Sequence, residues 1–72
     1  MSHKHVVHQI VDRDCHAMST KLEVVRHVIS RMKGGRRTFL VLPRETRHEI
    51  VGAALERRQK NLELYLFVMT GV

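Results

Sequence analysis

The chain holds one cysteine, one proline, no tryptophan and only three other aromatic residues in 72 positions. A lone Cys15 excludes an internal disulfide framework, and without a Cys pair the usual structural zinc sites cannot be built. No apolar run approaches the ~20 residues of a membrane-spanning helix. The opening Met1-Ser2-His3-Lys4-His5 also lacks the apolar stretch of a secretory leader. A cytoplasmic protein with no membrane partner is expected. Acids are scarce as well: seven Asp and Glu stand against thirteen Lys and Arg, giving a net charge of +6 and a pI near 10.5. That balance favours a nucleic acid or an acidic protein surface as partner.

What is present suits a single globular domain over residues 1–72, with 43% apolar and 28% charged residues. So short a chain buries barely enough apolar surface to offset the entropy of ordering it, so a homodimer or a hetero-partner is expected. Catalytic signatures are missing. There is no nucleophile elbow, no Walker or dinucleotide loop, and Gly34-Gly35 alone is not a phosphate-binding motif. Neither an enzyme nor a cofactor is expected, and no metal site. His3-x-His5-x-x-His8 does not converge on a strand, and His27 and His48 read as exposed helix residues.

Leu22, Val25, Val28, Ile29 and Met32 recur at helical spacing and predict a helix over 20–33. Thr20 and Glu23 form a capping box at its start, and Gly34-Gly35 stops it. The apolar, β-prone run 37–42 predicts a strand that Pro43 ends. A second helix is expected from about Arg44 to Lys60, capped by Thr46 and Glu49, with Ile50, Val51, Ala54 and Leu55 as its apolar stripe. Residues 62–69 and 6–11 read as two more strands. The fold class expected is therefore α/β, a single small β-α-β-α-β two-layer domain.

Two right-handed crossovers in that order place both helices on one sheet face. The other face, carrying Phe39, Val41, Tyr65, Phe67 and Met69, is left bare. It reads as a protein interface, with base stacking or covered core as alternatives. Both helix-to-strand connections emerge at one edge, gathering Arg31, Lys33, Arg36, Arg37, Arg57, Arg58 and Lys60 with no acid among them. That cluster predicts RNA or DNA backbone binding in a regulatory role. A solvated rim complementing helix dipoles is the plainer reading. The alternative function is a protein-binding regulator, of the kind viruses encode, docking through the apolar face on a nucleic-acid-handling machine.

Cys15 sits in Asp12-Arg13-Asp14-Cys15-His16, just ahead of the first expected helix, where a helix N-terminus and His16 favour a thiolate while Asp12 and Asp14 oppose it, and an unreactive cysteine is the plainer reading. Strand, cysteine loop, helix, glycine, strand, proline, helix, strand resembles the layout of the bacterial sulfur-carrier family that serves tRNA thiolation. That resemblance implies Cys15 as a persulfide-bearing thiol, although Cys15-His16-Ala17-Met18 lacks the family's two prolines. The layout is also similar to small nucleic-acid-binding domains, including the C-terminal domain of a bacterial translation initiation factor and the domain named for an Arg-x-x-x-His motif. Arg44-Glu45-Thr46-Arg47-His48 matches that motif. A ribbon-helix-helix reading of residues 39–69 is a minor alternative, because Leu40, Val41 and Leu42 are not the polar strand face that reads DNA bases.

Overall fold

A computed structural model describes residues 3–70 and contains four helices: α1 (His3–Asp14), α2 (Lys21–Arg31), α3 (Gly35–Leu40) and α4 (Arg44–Met69). No strand occurs among the described residues. The expected β-α-β-α-β sheet is therefore corrected to an all-α protein, and the layout shared with the sulfur-carrier and initiation-factor domains goes with it.

Each expected strand is a helix for a local reason. Val7, Val11 and Cys15 recur at every fourth residue, a helical row, and all three are buried. Residues 6–11 satisfied a strand reading only because valine and isoleucine favour strands in general. Residues 37–42 form the end of α3 and the turn that follows, with Phe39 and Leu42 half-buried against the core. Leu40 and Val41 point outward, Val41 at 80% exposure. Residues 62–69 continue α4, because no glycine or proline interrupts the chain between Ala53 and Thr70 and the residues there are mostly good helix formers.

The helix expected over 20–33 is α2, with Thr20 as its N-cap and Glu23 bonded to the Thr20 side chain rather than to its backbone amide. The Glu23 amide donates to Thr20 Oγ1 at 3.1 Å, and the Thr20 hydroxyl donates back to the Glu23 carboxylate at 3.1 Å. After Met32 the chain turns through Gly34 (φ 83°) and Gly35 (φ 62°), both left-handed. A Cβ on Gly34 would lie 1.9 Å from Thr38 Oγ1, so only glycine fits there. The capping box expected at Thr46 and Glu49 is not used. Pro43 is the N-cap instead, with its carbonyl accepting from the Arg47 amide at 3.0 Å, and Thr46 lies inside the first turn.

One core joins the helices: Val7, Val11 and Cys15 from α1 and its end, Val24 and Val28 from α2, and Ile50, Ala53 and Ala54 from α4. α4 packs chiefly on α1 and then on α2, while α3 rests on α2. With 26 residues α4 is about 39 Å long, and it dominates a molecule of 45 × 20 × 16 Å. α1 and α2, at 12 and 11 residues, cover only part of that length. Among the described residues no helix is long and apolar enough to cross a membrane.

Candidate functional site

Two acids near the end of α1 bond to the neighbouring helices, Asp12 to α4 and Asp14 to α2. Arg57 Nε and Nη2 each donate to the Asp12 carboxylate at 2.8 Å, and Asn61 Nδ2 donates to the same group at 2.9 Å. These charge-assisted bonds hold the Asp12 carboxyl down to about 2, against the opposing effect of partial burial. Asp14 accepts from His27 Nε2 at 2.8 Å and lies 3.8 Å from Arg31 Nε. The His27 hydrogen bond is the main cause of its lowered pKa. His8, also on α1, has its pKa lowered first by burial and then by Arg57 and Lys4, and its Nε2 has no hydrogen-bond partner.

The seven bases expected at one edge are divided by this arrangement. Arg57 is committed to Asp12, and Arg58 Nη2 donates to the Ser19 carbonyl at 3.2 Å, just before α2 begins. Lys33, Arg36 and Arg37 follow the far end of α2, whose eleven residues extend about 16 Å. The helix thus stands between Arg58 and the α2–α3 turn. Lys60 is exposed on α4. The turn itself keeps Arg31, Lys33, Arg36 and Arg37 together, all exposed, and among the described residues Lys33, Arg36 and Arg37 form no ion pair.

A signal the edge argument passed over extends this group. Between Glu23 and Glu45 the chain carries no acid and six bases, adding Arg26 and Arg44 to the four at the turn. The span covers most of α2, all of α3 and the first residue of α4. Gly34 and Gly35 at its centre leave the backbone uncovered by side chains of their own.

The five residues expected on one apolar sheet face are likewise redistributed. Phe39 packs against the core and Val41 lies in the turn after α3. Tyr65, Phe67 and Met69 are on the last turns of α4, exposed at 60, 60 and 64%. On a helix Tyr65 and Met69 are neighbours, while Phe67 points elsewhere. They belong to a larger feature, since Leu64, Leu66 and Val68 are exposed to a similar degree. At the base of this apolar end a cleft of about 310 Å³ is lined by Val11, Cys15, Met18, Arg58, Leu62 and Tyr65, among others.

Cys15 lines that cleft but is 7% exposed and follows the C-terminal end of α1, its amide donating to the Val11 carbonyl at 3.1 Å. It does not sit at a helix N-terminus. Burial pushes its thiol pKa up, and Asp14 adds to the rise, the opposite direction from the one that activates a thiol. Among the described residues no three His, Cys, Asp or Glu side chains converge to hold a metal.

No protein-family model, curated protein or solved structure matches this chain significantly.

Proposed function

We propose that the chain is a small basic binding module, without catalysis of its own, that holds RNA or DNA by its phosphates through the α2–α3 turn and acts in the cytoplasm. The observation that carries this reading is the turn's exposed charge: among the described residues Lys33, Arg36 and Arg37 form no ion pair, and Arg31 beside them is shared with Asp14. Arg31, Lys33, Arg36 and Arg37 stand exposed within seven residues, in a 21-residue stretch free of acids. Meanwhile Asp12 and Asp14 are spent on Arg57, His27 and Arg31. Exposed guanidinium and ammonium groups without partners are what displaces counterions from a phosphate backbone. Gly35, where a Cβ would meet nothing nearer than the Ser30 carbonyl at 4.0 Å, allows a phosphate to approach the main chain. Arg57 drops out of the contact set, because engaging a phosphate would cost its bonds to Asp12.

Titrating labelled single-stranded and duplex nucleic acids with the protein at several salt concentrations tests this. Four phosphate contacts give a log–log slope of about −3. Arg36→Glu with Arg37→Glu should weaken binding by at least about tenfold and flatten the slope by about 2. Lys60→Glu should have a smaller effect. Equal losses from both changes, or binding indifferent to salt, would overturn the assignment of the turn.

A second reading is favoured by the apolar end of α4, which suits a protein-binding regulator. That surface is separate from the basic turn, so the two readings do not compete for the same residues.

A further inference from the structure

The row of α4 that faces the other helices does not end where they end. Ile50, Ala54, Arg57, Asn61, Leu64 and Val68 follow one another at alternating steps of four and three residues, the spacing of a coiled-coil seam. Ile50 and Ala54 are buried in the core, and Arg57 and Asn61 are bonded to Asp12 on α1. Leu64 and Val68 continue the row with 64 and 72% of their surface exposed. Tyr65, Phe67 and Met69 flank them, exposed at 60% or more. A helix that is apolar all round is ordinarily buried. From Leu62 onward seven large apolar side chains stand 40–72% exposed, a contiguous patch of the kind that marks an interaction surface.

We infer that this end of α4 pairs with the same segment of a second copy, antiparallel along the seam, with Leu64 of each copy against Val68 of the other. Charge selects both the occupant and the direction. The segment 61–70 carries a single charged residue, Glu63, so two copies meet there without bringing basic groups together. Antiparallel pairing sends the two bodies, which hold all thirteen bases, to opposite ends of the overlap. Parallel pairing would set them side by side and raise their mutual repulsion. The last turn of each α4 then approaches the cleft beside Leu62 and Tyr65 on the other copy.

The test uses the full chain without nucleic acid. Wild-type protein at about 50 μM should sediment as a dimer. Raising the salt should leave the dimer intact or tighten it, the opposite of its effect on phosphate binding. Leu64→Lys with Val68→Lys should weaken self-association at least about tenfold with the helical circular dichroism retained, since neither side chain is buried in one copy. Direction is read by mixing Leu64→Cys and Val68→Cys proteins under mild oxidation: the mixed disulfide should exceed both like-with-like products. This measurement stands even if the lysine variant loses its helices. A wild-type monomer, a dimer that survives both lysines, or a predominance of like-with-like disulfides would overturn the inference. A monomer that instead partitions onto lipid vesicles would also overturn it, assigning the segment to a membrane surface.

Discussion

The two halves of α4 share a helix and little else. From Arg44 to Asn61 it lies against α1 and α2, burying Ile50, Ala53 and Ala54 and placing Arg57 and Asn61 on Asp12. From Leu62 to Met69 the same backbone hydrogen bonds continue, yet every side chain is exposed. Sequence propensity carries the helix across both halves, whereas tertiary burial stabilises only the first. The second half is therefore held by helix propagation from the first and gains no packing of its own within the single chain.

The largest effects should fall on the covered half. Ile50→Ala removes a side chain 1% exposed at the meeting of α1, α2 and α4 and should cost about 2–5 kcal/mol by denaturant unfolding. A cost no larger than that of Leu64→Ala would dissolve the distinction between the halves. Gly34→Ala comes next. Its Cβ collides with Thr38 Oγ1 at a φ of 83°, and a loss of about 1–2 kcal/mol is expected from the left-handed backbone alone. An unchanged melting temperature would mean that the α2–α3 turn differs from the one described.

The Asp12 bonds lie at the boundary between the halves and are partly open to solvent. Asp12→Ala should therefore cost only about 1 kcal/mol. Its pH dependence is more informative. A folded pKa of about 2 lies below the ~3.9 of an unfolded aspartate, so the folded state binds fewer protons. The contribution is complete above about pH 5 and is lost as pH falls toward 2. His8, whose pKa is also lowered, acts with the same sign at higher pH: the unfolded chain takes up its proton first as pH drops below ~6.5, and stability declines. Acid unfolding followed for wild type and Asp12→Ala should converge near pH 2. Curves that stay parallel would show that Asp12 is not held by Arg57. Smallest of all, Phe67→Glu on the open half should shift the stability of a single copy by no more than about 0.5 kcal/mol. Unfolding by this change would mean that Phe67 is core.

Much of α2 and the start of α4 was legible in the sequence, because Thr20 with Glu23, the Gly34-Gly35 stop and Pro43 are local devices that act whatever the rest of the chain does. Residues 6–11, 37–42 and 62–69 misled for a common reason. Short apolar runs rich in valine, leucine and phenylalanine fit a strand or a helix equally well by periodicity. What decided them was the row Val7, Val11 and Cys15, the Phe39 contact with the core, and the uninterrupted chain from Ala53 to Thr70. The seam through Leu64 and Val68 and the acid-free stretch between Glu23 and Glu45 were both visible without coordinates. The Asp12–Arg57 pairing, 45 residues apart, was not, and it is what separates Arg57 from the bases at the turn.

Backbone hydrogen exchange measured along α4 over a dilution series tests the contrast most directly. Amides of residues 48–61 should be strongly protected and indifferent to protein concentration. Those of residues 62–69 should exchange fast when dilute and slow as concentration rises, since only a second copy covers them. Equal protection of both halves at every dilution would contradict the account.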